Sequence, residues 1–391
     1  MAPSILVVGY NARVMACPAR RAGYKVYSLS HYDDLDLLRC VEKNFTFSGE
    51  LPSDIRPWLD QLDVDYVVLG SGFEGLDLPA SLVLGNDPKV ARNVINKVWL
   101  AEKLNKLGLP HPRIFRKKGD IAFPCVAKPI KGGGGVKNFL VRDESMLPDG
   151  DEYFLQEYVE GRPLSVSVLS TGSEAMPISV NEILVGKNWL GQCHEFGYCG
   201  NVTPYETRFK RQMFDIAREL VPALGLVGHN GIDFIVNKDG PMVLEVNPRF
   251  TGAVDSVELA TGENLFKAHV DAINGKLHEY RIRRYGAKAI LFASRHTVVR
   301  GSLLKPMIAD VPKPGNVYEN GEAICTIMGA GRTRGEAIGR LKERLSFVKK
   351  ACTRPGHTKP DNIYKHTLKY YKHSKSISSK VKSCLFLRTR R

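Results

Sequence analysis

Apolar positions fall in short runs whose spacing changes along the chain. Ile5–Val8, Lys25–Leu29 and Tyr66–Leu69 read as buried strands, and Ala12–Ala22 between the first two reads as a helix. This alternation predicts a small parallel sheet, an α/β unit, over residues 1–90. Lys89–Leu107 has helical periodicity and runs into Gly108-Leu-Pro110-His-Pro112, a helix stop followed by an extended segment. From Phe123 to Val141 two β-like runs flank Gly132-Gly133-Gly134-Gly135. Tyr153–Gly161 is a strand that breaks into a turn. Gly231–Asn237 and Pro241–Asn247 are strands on either side of Lys238-Asp239-Gly240, a three-residue hairpin loop with glycine where a left-handed residue is needed.

That hairpin carries the most chemistry. Pairing Asn237 with Pro241 sets Ile235 opposite Val243 and Asp233 opposite Glu245, and opposed side chains share one face with Cβ atoms about 5 Å apart. Two carboxylates so close repel unless a cation lies between them or one holds a proton. Asn247 points the same way because strand side chains alternate. Two carboxylates and a carboxamide form an all-oxygen set suited to Mg²⁺, with Mn²⁺ as the alternative ion. Arg249 follows within reach. A surface hairpin with scattered acids is the competing reading.

Four consecutive glycines free the backbone to wrap oxygen atoms and present N–H groups to phosphate. A Walker loop would end in Gly-Lys-Ser/Thr and open a helix. Here the glycines join two strands, so they predict a flap on a hairpin, or else a plain flexible connector. Lys128 closes the first strand, placed to reach phosphates beneath the flap. Gln156, Glu157 and Val159 lie where a breaking strand could offer backbone groups to an adenine edge. Gly9-Tyr-Asn-Ala is not Gly-x-Gly-x-x-Gly, so no dinucleotide site is predicted there. Loops after parallel strands still tend to line ligand crevices. Asn11, Arg13, Asp33 and Glu74 are therefore substrate-contact candidates, each with an equally simple structural role.

Composition narrows the class. A chain of 391 residues can build two or three cores, and 43% apolar with 25% charged residues is ordinary for a globular protein. No apolar run approaches a membrane span, and the opening residues lack the basic and apolar regions of a secretory signal, which predicts a cytoplasmic protein. The eight cysteines are scattered without Cys-x-x-Cys, so free thiols are expected. Cys193-His194 with Cys199 lacks the second pair a zinc site needs. The net charge of +15 is concentrated at the end, where Thr353–Arg391 holds eleven Lys or Arg against Asp361 alone. That stretch is Ser-rich and without apolar periodicity, so it predicts a disordered basic tail. Such a tail could grip nucleic acid or an anionic surface or simply stay solvated; the body shows no sign of nucleic-acid recognition.

Taken in order, these segments resemble the ATP-grasp superfamily of ligases. Asn96-Lys97-Val-Trp-Leu-Ala and Lys128-Pro-Ile-Lys-Gly-Gly-Gly-Gly are similar to the two lysine segments of biotin carboxylase and its purine-pathway relatives. Gln156-Glu-Tyr-Val159 is similar to the hinge between the lobes, and Asp233…Glu245-Val-Asn247-Pro-Arg249 to the metal-binding hairpin, including its twelve-residue interval. More narrowly, Gly70-Ser-Gly-Phe-Glu74, Gly200-Asn-Val-Thr-Pro204 and Asn247-Pro-Arg-Phe-Thr-Gly252 resemble an archaeal group of predicted ATP-dependent carboligases. The resemblance implies an ATP-grasp fold behind a Rossmann-like pre-ATP-grasp domain. Its divisions are 1–90, an ATP-grasp domain over 91–300 hinged near 156–161, a β-rich segment over 301–352, and the tail 353–391. It also implies ATP and Mg²⁺ as cofactors, with Lys97, Lys128 and the Gly132–Gly135 flap on the phosphates. Asp233, Glu245 and Asn247 would hold metal, and Arg249 would clamp an acyl phosphate. Its partners would be a small carboxylic acid and an amine, in a chain that could form a homodimer. One departure is that Gly161-Arg-Pro-Leu164 lacks the glutamate that many relatives place on the ribose, leaving Glu160 as a substitute. Three activities fit: a carboxylate–amine ligase, bicarbonate activation through carboxyphosphate, and nucleotide sensing without turnover. The acid and amine contacts are expected from the N-terminal loops, His194–Asn201 and the region of Arg295.

Overall fold

The computed structural model describes residues 2–116, 118–130 and 132–353. The basic tail beyond Thr353 lies outside them. Strands β1 (Ser4–Gly9), β2 (Lys25–Ser30), β3 (Lys43–Thr46) and β4 (Tyr66–Leu69) form a parallel sheet in the order β3-β2-β1-β4. Helix α1 (Arg13–Arg21) crosses between β1 and β2, and short helices α2 (Leu35–Leu38) and α3 (Arg56–Leu59) fill later connections. The expected helix over 89–107 is two helices, α4 (Pro88–Val94) and α5 (Lys97–Leu107). Asn96 interrupts it because its side chain accepts hydrogen bonds from the Val98 and Trp99 amides, an N-cap that restarts the helix.

Next comes a small antiparallel sheet of β5 (Ile114–Phe115), β6 (Cys125–Pro129), β7 (Phe139–Val141) and β8 (Tyr153–Glu157), with the glycine-rich loop joining β6 to β7. The large sheet is antiparallel and eight-stranded. It uses β9 (Arg162–Thr171), β10 (Ala175–Val185), β11 (Tyr198–Thr203), β12 (Val227–Val236), β13 (Pro241–Asn247) and β14 (Tyr285–Phe292). After the short strand β15 (Thr297–Val299), β16 (Ile308–Ala309) closes its edge, β17 (Val317–Tyr318) pairs with β15, and β18 (Ala323–Gly331) lies between β14 and β16. Helices α6 (Lys210–Ala223), α7 (Val254–Thr261) and α8 (Leu265–Ile273) pack against the large sheet. The segment read as β-rich also holds the eighteen-residue helix α9 (Arg334–Ala351), capped by the Thr333 hydroxyl. Its low contrast between apolar and charged positions hid it from a periodicity search. Finally β19 (Cys352–Thr353) pairs with β15, so Thr353 belongs to the folded body.

Alternation along β9, β10 and β12 decides which face is which. Leu164, Val166, Val168, Val180, Ile232 and Phe234 turn to α6 and join one core. The other face carries Ser165, Ser167, Asn181 and Asp233. A separate core shares Ile5 and Val7 of β1 with Leu169 of β9 and Phe266 of α8, so the parallel sheet and the large sheet are packed together through α1 and α8. Cys17 and Cys40 are joined as a disulfide, where their spacing predicted free thiols. They meet because α1 packs on α2, a tertiary contact that sequence separation does not display.

A buried ion cluster pins this junction. The Arg13 guanidinium binds both oxygens of Asp255 at 2.8 and 2.7 Å and the Asp310 carboxylate at 2.6 Å, while Lys288 reaches Asp255 at 2.9 Å. Asp36 accepts from the Asp310 and Val311 amides. Beside them Asp34 is buried, and burial together with Asp310 and Asp36 pushes its carboxyl up to about 8. The sign of the linkage follows. Folded Asp34 holds a proton that the unfolded chain releases near its ordinary value, so its cost to stability grows from about pH 4 and levels off above about pH 8. Asp34→Asn should therefore raise the melting temperature more at pH 8 than at pH 5. An equal shift at both pH values would show that Asp34 is ionised in the fold.

Candidate active site

Asp233 on β12 lies directly opposite Glu245 on β13, and the register that delivers them differs from the simple hairpin. Val236 pairs with Pro241 and Ile235 with Met242, one step out from the expected pairing, and a β-bulge between Asp233 and Phe234 restores the carboxylates to opposition. The loop is closed by Asn237, whose side chain accepts from the Asp239 and Gly240 amides. Asn247 shares the face and donates to Asp233 at 3.3 Å. Burial and the neighbouring Glu245 raise the Asp233 pKa well above the carboxylate range, with Arg249 and Asn247 opposing. Two half-buried carboxylates that repel each other, with an amide oxygen beside them, fit a hard divalent cation. Among the described residues no group of three or more His, Cys, Asp or Glu side chains is placed to hold a metal ion.

Cations converge on this face. Lys97, at the first turn of α5, lies 3.9 Å from Glu245 and donates to the Gly132 carbonyl at 2.9 Å. Lys128, at the end of β6, donates to the Gln156 side chain at 2.6 Å. Its pKa is lowered to about 8, first by burial, with Glu245 and Asp233 raising it and Lys97 lowering it. Of the predicted flap, Gly132 and Gly134 make backbone contacts, Gly135 rests against Phe196, and Gly133 faces open space. Glu157 turns away to accept from the Arg113 amide, and Val159 is half-buried. Glu160 is exposed.

Each of the three Arg249 guanidinium nitrogens makes one contact. Its Nε pairs with Glu74, Nη2 donates to the Asn247 side chain at 3.0 Å and Nη1 to the Phe250 carbonyl at 3.0 Å. Glu74 follows β4 and also accepts from the Gly72 amide at 2.8 Å. Of the four loop candidates, Glu74 alone reaches the site. Arg13 is consumed by the ion cluster, Asp33 pairs with Lys313, and Asn11 accepts from the Arg13 amide. Beneath the carboxylates, Asn181 donates to Ser165 and Ser167 and accepts from Ser179 and Thr203, a closed polar network that no motif announced. Tyr198 and Asn201 were foreseen only as part of a segment. The tyrosine hydroxyl bonds the Asn201 side chain.

Two lysines, a glycine-rich loop and an acidic hairpin thus meet around the same pair of carboxylates. Residues 94–253 match the ATP-grasp domain. An uncharacterized protein of Methanocaldococcus jannaschii is 28% identical over 385 residues, 91% of this chain and 94% of that one. The D-alanine–D-alanine ligase of Lacticaseibacillus casei is 27% identical over 221 residues, 50% of this chain and 61% of that enzyme. In fold, the biotin carboxylase–β,γ-ATP complex from Campylobacter jejuni gives a TM-score of 0.72 at 12% identity, covering 90% of this chain and 92% of the other. The chain holds an ATP-grasp domain, preceded by an α/β domain with a parallel sheet, and is a ligase enzyme. Among the described residues no helix is long and apolar enough to cross a membrane.

Proposed function

We propose that this ligase joins a small carboxylic acid to an amine through an acyl phosphate, releasing ADP and phosphate. The observation that carries the reading is the assembly of Lys97, Lys128, Asn247 and Arg249 around the carboxylates of Asp233 and Glu245, with Lys97 also bonded to the glycine loop. The likeness to a D-alanine–D-alanine ligase supports amide formation over other ligations.

In this reading Lys97 and Lys128 bind the phosphates of ATP, and Gly132–Gly135 lie over them. Gln156, the Glu157 main chain and Val159 line the adenine end. Asp233, Glu245 and Asn247 would hold Mg²⁺ or Mn²⁺, which when bound supplies positive charge against the phosphate oxygens. An oxygen of the substrate carboxylate attacks the γ-phosphorus, the bond to the bridging oxygen breaks, and ADP leaves. The amine nitrogen then attacks the acyl carbon, phosphate departs, and the nitrogen loses a proton. Phosphoryl transfer needs positioning and charge stabilisation rather than a covalent nucleophile, and the site provides cations without one. Arg249, planar and permanently charged, suits the acyl phosphate.

The test is ADP release with Mg·ATP across a panel of acids and amines. Stimulation by one acid–amine pair is expected, unchanged when bicarbonate is stripped from the buffer. Loss of ADP release on removing bicarbonate would instead favour carboxyphosphate chemistry. No turnover with any pair, despite tight ATP binding, would favour a sensor.

A further inference from the structure

Tyr198 touches the flap with its backbone and the acidic face with its side chain. Its amide donates to the Gly134 carbonyl at 2.9 Å. Gly135 lies against the Phe196 carbonyl so closely that a Cβ there would overlap the oxygen, and its φ of 71° already favours glycine. The flap is thus bound at two carbonyls, Gly132 by Lys97 and Gly134 by Tyr198. The two anchors differ in kind. Lys97 is a cation that incoming phosphates would claim, whereas a backbone amide at Tyr198 has no such competitor.

The ring end is equally constrained. The hydroxyl bonds Asn201, whose amide nitrogen donates to the Glu182 carbonyl at 3.3 Å. Gly252, three residues beyond Arg249, leaves the space the phenol occupies, and a Cβ there would overlap the hydroxyl. Burial, Asp255 and Asp233 all hold the phenol protonated, so it remains a neutral donor in an acidic surrounding.

We infer that Tyr198 is a positioning residue that seats the glycine flap on the carboxylate face of the site. The ring is fixed by Asn201 and Gly252, the ring fixes the Phe196–Tyr198 backbone, and that backbone receives Gly134 and Gly135. The seat is a property of the protein alone; its consequence for nucleotide rests on the ATP reading above.

Hydrogen–deuterium exchange on the full chain reads the seat, because the Tyr198 amide is itself one of the bonds. Wild type, Gly135→Ala, Gly133→Ala and Tyr198→Phe are compared without nucleotide and with the non-hydrolysable analogue Mg·AMP-PNP. Gly135→Ala should speed exchange of the Tyr198 amide about tenfold or more by unseating the flap. Gly133→Ala, where a Cβ meets open space, should leave that amide protected. Tyr198→Phe should raise exchange across 132–138 and weaken AMP-PNP binding roughly 2- to 10-fold, the scale of one lost hydrogen bond, beside a small drop in melting temperature. A purely structural tyrosine would lower the melting temperature and leave flap exchange alone. Equal Tyr198 exchange in wild type and Gly135→Ala, or equal effects of the two alanines, would overturn the seat. If wild type fails to bind AMP-PNP, the ATP reading falls, and the nucleotide-free exchange still judges the seat.

Discussion

Glu245→Gln should remove Mg-dependent ADP release, by about 100-fold or more, while leaving the fold intact. The exchange keeps volume and deletes one charge at the point where three interactions meet. Glu245 faces Asp233 across the hairpin, sits 3.9 Å from Lys97 and raises the Lys128 pKa. Without its charge the site loses half of its carboxylate pair, and the cation would rest on Asp233 and Asn247 alone. The same change relieves the repulsion that pushes Asp233 up, so the melting temperature should stay level or rise. This pairing of outcomes separates a binding role from a structural one, since a structural carboxylate would lose stability when neutralised. ADP release is measured against Mg²⁺ concentration beside a thermal melt. Near-wild-type release at saturating Mg²⁺ would remove Glu245 from the metal set.

Much of this arrangement could be read before any coordinates, and the reasons for success and failure are physical. Strands β1 and β4 were legible because buried strands need continuous apolar runs. The opposition of Asp233 and Glu245 was legible too, yet the register predicted for the loop end was wrong by one step. A bulge costs one residue and leaves no mark on the alternation, so two register assumptions compensated for each other. Contacts between distant segments were the harder part. Nothing near Glu74 announces that it meets Arg249, a residue 175 positions away. Arg13 looked like a crevice residue because it follows β1, but four buried or half-buried aspartates at the junction claim or surround it. Charge composition cannot show which cation a buried acid will take. Tyr198 could not be singled out within His194–Asn201 for a different reason: its contact with the flap is made by a backbone amide, which every residue but proline possesses.

Arg249→Lys should spare nucleotide affinity and depress product formation, by an amount on the scale of ~2.7–4 kcal/mol for a lost transition-state donor. The guanidinium now makes three directed contacts, to Glu74, Asn247 and Phe250, which hold its plane in one orientation at the end of the acidic hairpin. A lysine keeps the charge but cannot hold that fork, because an ammonium offers no planar pair of donors. Glu74 is therefore a second handle on the same prediction. Glu74→Gln keeps a hydrogen-bond acceptor for Nε but removes the charge opposing it, so it should lower product formation less than Arg249→Lys does. Calorimetry with Mg·AMP-PNP reports nucleotide affinity, and ADP release with the acid–amine pair found in the screen reports turnover. Parallel losses of affinity and turnover in Arg249→Lys would place the arginine on ATP instead. A variant unchanged in both would leave Arg249 as a strut between Glu74 and the hairpin, with the acyl phosphate held elsewhere.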